Sequence, residues 1–480
     1  MPHRKNTLDE IRKLKQVFSG EEPRLGIRPE HWILAPIAVT LQNMHFSQAP
    51  ALHLEKKESK TAFFLQTLVP FIFAGIGLIM AGLMLESAEN YRFIVELPDA
   101  VMIIPTLLGL KGNLEMTLSS RLSTLANLHL MDTQKAKVNV AFTNMALVQT
   151  QAIVVSSVAV LPVLLLGQNP MTWGDVLCLT LSTVATASIS SLILSLLMVI
   201  VVIVARYYKL NPDNISTPLA ASLGDFSTLL ILLATGSLLI DTRHYHPTYL
   251  LVILFLYYVF AVIAAVIATR DQFTLEVLKH GWWPVFTAMG ITTGSGFLLQ
   301  RALKHFPPLA AFQPLLNGLG GNLVAVQASR ISTQLHINRK NKEKEVEPLN
   351  TYFSPIRAFF YKTEEAVSAR ILLAILIPCD FVFVHFIFLF GCGFQNTIVF
   401  TLSFILVCLI QVVLLLYVCQ ILVRAMWVLR VDPDNSAIPI LTALGDLVGT
   451  LLLIGCFTFN ALVFQLPVSS EFFTGHRRIH

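Results

Sequence analysis

Runs of about 20 apolar residues recur along the chain from residue 61 to residue 462, and this pattern constrains the fold most. A helix of that length crosses the ~30 Å hydrocarbon core of a bilayer. Only 13% of the residues are charged, roughly half the share in an ordinary soluble domain. This deficit excludes a soluble enzyme, a nucleic-acid-binding module and a disordered scaffold. The sequence predicts an all-α polytopic membrane protein in contact with the lipid bilayer.

About eleven transmembrane helices are predicted after a polar N-terminal tail over residues 1–60, and a C-terminal tail follows over 466–480. The largest later loop, residues 336–368, is rich in Lys and Arg. The predicted spans are 61–85, 93–112, 138–167, 174–205, 216–240, 247–269, 282–303, 307–325, 371–393, 396–423 and 438–462.

The distribution of basic residues predicts the orientation of these spans. With the N-terminus in the cytosol, 28 of the 34 Lys and Arg residues fall on the cytosolic side. Such an excess marks cytosolic segments in polytopic proteins. We therefore expect a cytosolic N-terminus and a C-terminus on the opposite side of the membrane. The plasma membrane is the expected location, with an internal or mitochondrial membrane as the alternative.

Two blocks of sequence occur twice in the chain in the same order. Residues 105–124 return as residues 314–333 with 11 of 20 positions identical, and the pattern Pro-Asp-Asn…Leu-Gly-Asp of residues 212–225 returns at 433–446. Two ordered repeats indicate a tandem duplication.

The duplication predicts two five-helix repeats, at 61–243 and 281–465. Five crossings would invert the second copy, so an extra transmembrane helix in the linker 244–280 is predicted to restore its orientation. The repeats are then parallel and share sites at their interface.

Asp225 and Asp446 are the foremost candidate site residues, because each lies about ten residues inside a predicted span. An aspartate near the bilayer centre costs at least ~2.5–3.5 kcal/mol and normally faces a wet cavity or a partner. Two symmetry-related carboxylates at one depth are best neutralised by a cation between them. A protonated Asp bonded to a backbone carbonyl is the alternative at either position.

The repeated segments Gly-Leu-Lys-Gly-Asn and Gly-Leu-Gly-Gly-Asn end at Asn113 and Asn322, one to two turns after a proline. Glycine and proline weaken a helix, so these segments either pack closely or turn carbonyl and amide oxygens toward a pathway. The matched asparagines favour the pathway.

Four further acidic residues are weaker candidates. Asp99 is a candidate cation-gathering residue at an outer mouth or a solvated helix start, and Glu115 has no acidic counterpart in the second half. Asp213 and Asp434 are predicted to cap the fifth helix of each repeat.

Paired carboxylates and amide oxygens, without a thiolate or imidazole cluster, suit a hard divalent cation. Mg²⁺ dehydrates reluctantly and is usually held by one or two carboxylates with retained water. The sequence favours Mg²⁺ as the transported ion, with Mn²⁺ as an alternative.

The repeated blocks also resemble a known family. The stretches Gly-Leu-Lys-Gly-Asn-Leu-Glu-Met-Thr-Leu and Gly-Gly-Asn-Leu-Val-Ala-Val-Gln-Ala-Ser-Arg-Ile-Ser-Thr, with both Pro-Asp-Asn…Leu-Gly-Asp blocks, are similar to those of eukaryotic solute carrier family 41. That resemblance implies two MgtE-type membrane domains in one chain and Mg²⁺ transport, with Asp225 and Asp446 at the pore-aspartate positions. It implies no cofactor and no enzymatic activity. The first half departs from the family pattern at Lys111, where the second half has glycine.

Three functions are compatible with these features to different degrees. The resemblance favours a Na⁺-dependent Mg²⁺ efflux carrier, and a Mg²⁺-selective channel would use the same site. A remote alternative is an intramembrane aspartyl protease, but its Tyr-Asp motif is absent from the chain.

Overall fold

The computed structural model describes residues 59–167, 169–340, 352–390 and 397–464, and it contains no strand within them. These residues form an all-α polytopic membrane protein, as the sequence predicts. Residues 1–58 of the N-terminal tail, residues 341–351 of loop 336–368 and the whole C-terminal tail lie outside the described residues, so the predicted sides of the two termini stay predictions. The long helices are α1 (Lys60–Ser87), α2 (Ile103–Asn127), α3 (Gln134–Ala159), α4 (Trp173–Tyr207), α5 (Pro212–Leu239), α6 (Pro247–Ala268), α7 (Trp282–Leu303), α8 (Leu309–Lys340), α9 (Glu364–Leu389), α10 (Ile398–Val428) and α11 (Pro433–Val463).

Short helical segments connect several of the long helices. They span Ala88–Asn90, Arg92–Glu96, Pro98–Met102, Leu161–Leu166, Thr242–Tyr245, Gln272–His280 and Pro355–Phe360.

Local sequence explains where many of these helices begin. Ser59, Thr133, Thr363 and Thr397 each accept a hydrogen bond from a backbone N–H in the first turn, so they cap α1, α3, α9 and α10. Thr172 forms a reciprocal capping box at the start of α4. Proline at the first position fixes the starts of α5, α6 and α11.

Nine helices in the described residues are long and apolar enough to cross a membrane. They include every long helix except α2 and α7. The predicted total of eleven crossings therefore stays a prediction.

Two predicted spans have the wrong bounds. The predicted span 93–112 is replaced by α2 at Ile103–Asn127, because Pro98 begins a separate short helix. The predicted span 307–325 extends as α8 to Lys340. Residues 113–126 of α2 and 322–333 of α8 are rich in polar side chains, and nearly all of them are buried by other helices instead of facing lipid. Hydropathy along the sequence does not show whether a residue faces another helix or the lipid.

The helices pack in a pattern that is nearly the same in both halves of the chain. Helix α2 packs against α4 and α5, and α8 packs in the same way against α10 and α11. The first helix of each half also crosses to the other half, since α1 packs on α8 and α7 packs on α2. The predicted two-repeat organisation stays a prediction, and this pattern supports it.

Helix α6 lies at the periphery of the structure, whereas α8 lies at its centre. Within the most apolar windows of these helices, 22% of the α6 residues and 94% of the α8 residues are buried. Helix α6 packs against α3 and α4 and leaves apolar side chains such as Phe255 and Val262 exposed. That surface is suited to contact with lipid tails.

Candidate functional site

A cavity lies where helices α2, α5, α7, α8 and α11 meet, between the two halves of the chain. The volume of this cavity, measured as the space that the centre of a water molecule can reach, is about 50 Å³. That volume holds about three or four water molecules. Its lining is Pro105, Leu108, Gly109, Gly112, Asn113, Met116, Asp225, Thr292, Ser295, Gln313, Pro314, Asn317, Gly318, Gly321, Thr442 and Asp446.

Asp225 and Asp446 both line this cavity, as two members of one site. Each lies 13 residues after the proline that starts its helix, or roughly 20 Å along the axis. Both residues are partly exposed within the membrane-embedded bundle, and their charges are close enough to interact. Neither carboxylate has a hydrogen bond or ion pair to the described residues. The two acidic groups therefore remain available to a cation in the cavity.

The backbone around Asp446 is fixed by side chains from two other helices. Its carbonyl oxygen accepts hydrogen bonds from Ser295 Oγ at 2.9 Å and from Asn317 Nδ2 at 3.2 Å. The Ser295 hydroxyl also lies 2.8 Å from that of Thr450. These contacts hold α11 against α7 and α8, so the position of the carboxylate is set by the second half of the chain.

The predicted asparagines are not equivalent in the structure. Asn113 lines the cavity, and its Oδ1 accepts a hydrogen bond from the Thr442 hydroxyl. Asn322 is fully buried outside the lining, and neither polar atom of its amide has a hydrogen-bond partner within the described residues. The structure thus brings Asn113 together with Asp225 and Asp446, and does not bring Asn322 to them.

Asn317 is an amide residue of α8 that lines the cavity, and the sequence reasoning missed it. Its Oδ1 has no hydrogen-bond partner among the described residues. The repeat comparison passes over it because Leu108 occupies the matching position. Gln313, one turn before it on α8, was missed for a similar reason. Both residues can be identified only from the structure, which shows the face that α8 presents to α11.

Asp99 and Glu115 do not line the cavity. Asp99 is buried near the predicted outer end of the bundle, where its carboxylate accepts a hydrogen bond from the Asn169 N–H at 2.9 Å. Glu115 forms an ion pair with Lys111 at 2.8 Å, and both side chains are completely buried. The Lys111 ammonium group also donates to Ser191.

The prediction that Asp213 and Asp434 cap their helices is wrong. Asn211 and Asp432 are the caps, and each accepts a hydrogen bond from the backbone N–H two residues later. The side chain of Asp434 is instead engaged by Ser120 from the first half, at 2.8 Å. Spacing alone could not distinguish the capping residue from its neighbour, because both are polar and lie within one turn.

The fold and the cavity define a class of protein. The helical bundle has two acidic groups in a membrane-embedded cavity, and none of the 16 lining residues has a basic side chain. Such a cavity is suited to moving a cation across the bilayer. The MgtE family model, described as a divalent cation transporter, matches residues 104–235 and 313–456.

Known relatives agree with that family match. Mouse solute carrier family 41 member 3 is 38% identical over 460 residues, covering 94% of this chain and 93% of the relative. Human solute carrier family 41 member 2 is 39% identical over 417 residues, covering 85% and 72% respectively. The chain belongs to solute carrier family 41, so it is a divalent cation transporter and not an enzyme.

One solved structure, the eukaryotic MATE transporter AtDTX14, overlaps 88% of this chain and 99% of its own. Its TM-score is 0.26 and its sequence identity is 12%. A likeness this low carries no conclusion about this protein.

Proposed function

We propose that this protein transports Mg²⁺ through the cavity between its two halves, as a Na⁺-dependent efflux carrier of the plasma membrane. The observation that carries the proposal is the meeting of Asp225 and Asp446 in one cavity. Their combined formal charge of two negatives would match the charge of a single divalent cation. Removing such an ion from water is costly, and two carboxylates offset part of that cost.

The other oxygen donors in the cavity favour Mg²⁺ over Ca²⁺. The amides of Asn113 and Asn317 and the hydroxyl of Thr442 are neutral donors near the two carboxylates. Ca²⁺ takes six to eight oxygen ligands, whereas Mg²⁺ keeps several of its own waters and needs few carboxylates. A cavity with room for about three or four waters suits a partly hydrated Mg²⁺ ion.

The cavity lies between helices of both halves, which supports a pathway along their interface. Asp225 and Asn113 belong to the first half, and Asp446 and Asn317 belong to the second. If ligands from both halves bind one ion, movement of one half relative to the other changes the coordination of that ion. That coupling is what a carrier requires.

Mg²⁺ flux in reconstituted vesicles tests the proposal. Purified protein is placed in vesicles loaded with a Mg²⁺-sensitive dye, and flux is recorded with and without an opposing Na⁺ gradient. Flux that follows the Na⁺ gradient supports the carrier. Equal flux in both conditions supports the alternative, a Mg²⁺-selective channel. The Asp225→Asn variant serves as the matched control for leak, and flux equal to wild type in that variant would contradict the site.

A further inference from the structure

A groove lies between helices α1 and α9, at the end of the bundle predicted to face the cytosol. The volume that the centre of a water molecule can reach in it is about 480 Å³, which is in the range of pockets that bind small ligands. Its lining is Lys60, Thr61, Phe64, Val367, Arg370, Ile371 and Ala374. We call it the α1–α9 groove.

The α1–α9 groove has charged side chains at one end and apolar side chains along its walls. Lys60 is the first residue of α1, and Phe64 lies one turn further along that helix. On α9, Ala374 likewise lies one turn beyond Arg370. The starts of both helices lie at the same end of the bundle, so the two apolar residues lie on the membrane side of the two cations.

The Arg370 side chain turns back toward the start of α9. Its Nη1 donates hydrogen bonds to the carbonyl oxygens of Phe359 at 2.5 Å and Tyr361 at 3.0 Å, two residues that precede the helix. Long cationic side chains near a helix end keep their charge at the membrane surface in this way. The N–H groups at Nε and Nη2 have no partner among the residues that the structure describes, so they remain available to a ligand.

The two cations of the groove lack an acidic partner. Lys60 and Arg370 are exposed, and neither forms an ion pair within the described part of the chain. No Asp or Glu lines the groove. Glu365, near the start of α9, pairs instead with Arg424 of α10 at 2.5 Å. The groove therefore has two positive charges above an apolar wall, and this combination suits a ligand with an anionic head and an apolar tail.

We propose that the α1–α9 groove binds one anionic phospholipid of the cytosolic leaflet. The headgroup lies at the two cations, and an acyl chain lies along the apolar wall. Basic pockets between transmembrane helices on the cytosolic side bind such headgroups, because that leaflet is rich in anionic lipid. The inference extends beyond Mg²⁺ transport, since it assigns a lipid ligand to the protein.

The charge of the groove favours a lipid over the chain's own N-terminal tail, which directly precedes α1. Residues 1–58 contain nine Lys and Arg against seven Asp and Glu. A segment with net positive charge does not match a groove with two cations, whereas an anionic headgroup does.

A lipid in this groove would contact both halves of the chain. Helix α1 belongs to the first half and α9 to the second, and the two pack on each other. Helix α1 also packs on α5, which carries Asp225. A ligand that binds one arrangement of α1 and α9 more tightly than another increases the population of that arrangement. Bound lipid should therefore influence how the two halves are placed against each other.

Native mass spectrometry of the full chain in detergent tests the proposal, because it counts bound lipids one by one. Phosphatidylserine and phosphatidylcholine are titrated separately, and we expect one phosphatidylserine to bind more tightly than any phosphatidylcholine. Lys60→Gln/Arg370→Gln should weaken that binding by roughly thirtyfold, since each cation near an anionic headgroup contributes about fivefold. The control is Lys135→Gln/Lys137→Gln, which removes two cations near the start of α3, on the same predicted side but outside the groove.

Two further variants keep the test independent of the backbone contacts that Arg370 makes. Lys60→Gln alone should weaken phosphatidylserine binding by about fivefold. Ala374→Trp leaves both cations in place and fills the apolar wall, so it should also weaken the binding of phosphatidylserine. The soluble headgroup glycerophosphoserine, which has no acyl chain, should bind far more weakly than the whole lipid.

Several outcomes would overturn the proposal. They are equal affinity for the two lipids, an equal loss in the control variant, full affinity in Ala374→Trp, and headgroup binding as tight as that of the lipid. If the full chain binds no phosphatidylserine saturably, another occupant such as the N-terminal tail fills the groove, and the proposal is wrong. Because the readout is lipid binding, the result is independent of whether Mg²⁺ is transported.

Discussion

Gly109 of the first half lies against the carboxylate of Asp446 of the second half, and the absence of a side chain makes this approach possible. A Cβ atom on Gly109 would lie 2.9 Å from Asp446 Oδ2 and would also overlap the methyl group of Thr292. This close approach brings the carboxylate of Asp446 into contact with a helix of the first half.

Gly109→Ala should therefore reduce Mg²⁺ transport by about tenfold or more, since its methyl group must displace Asp446 or push α2 from α7. The control is Gly290→Ala inside α7, where an added Cβ meets no atom within 4 Å and which lies outside the cavity lining. Both variants carry the same change in helix propensity. Equal transport rates in vesicles for the two variants would contradict a role for the close approach.

Asp225→Asn and Asp446→Asn should each reduce Mg²⁺ transport by at least about tenfold, while expression and membrane insertion stay unchanged. Each substitution removes a charge and keeps the shape of the side chain, and a bond to a charged group contributes about 1.5–3 kcal/mol. Flux assays in vesicles measure the loss. The control is Asp241→Asn, since Asp241 is an exposed residue paired with Arg92 at 2.7 Å, away from the cavity. Wild-type rates in both cavity variants would exclude a shared site.

The effects of the two aspartates on Mg²⁺ affinity should be strongly non-additive. If they bind one ion, the first substitution removes most of the binding, and the second then costs less than it does in wild type. A double-mutant cycle on the Mg²⁺ dissociation constant measures this coupling in purified protein. Strictly additive free energies would indicate two separate sites.

Asn113→Ala and Asn317→Ala should weaken Mg²⁺ binding more than Asn322→Ala does. The first two side chains line the cavity, whereas Asn322 is buried elsewhere on α8. Losing one neutral oxygen donor should raise the dissociation constant several-fold, for a contribution of about 1 kcal/mol. Titrations of the three purified variants measure the difference. If Asn322→Ala raises the dissociation constant more than the other two substitutions do, Asn322 contributes to the cation pathway, as the repeat predicts.

Lys111→Met should destabilise the protein by about 3–5 kcal/mol, because it leaves the completely buried Glu115 without its cation. The double variant Lys111→Met/Glu115→Leu replaces the whole ion pair with apolar groups, so it should be closer to wild type in stability. Unfolding of purified protein in detergent measures both free energies. If the double variant is less stable than the single one, the ion pair stabilises the protein by more than the mutual neutralisation of its two charges.

The family, the class of fold and the two central carboxylates follow from the sequence alone. Lipid solvates no backbone polar group and few charges, so spanning segments must be helical and apolar, and an intramembrane acid is conspicuous. For that reason Asp225 and Asp446 are recognisable within their apolar runs. The duplicated blocks make their relationship visible without any structure.

The tertiary structure decided which oxygens accompany those carboxylates. Helix α8 turns Asn317 to the cavity and Asn322 away from it, and the repeat cannot predict this because the two halves differ in the side chains packed around them. The same holds for Asp213 and Asp434, which resemble helix caps in sequence but contact serines across the interface. A sequence records the order of side chains along a helix, whereas the neighbouring helices determine which of its faces meet the other half, the cavity or the lipid.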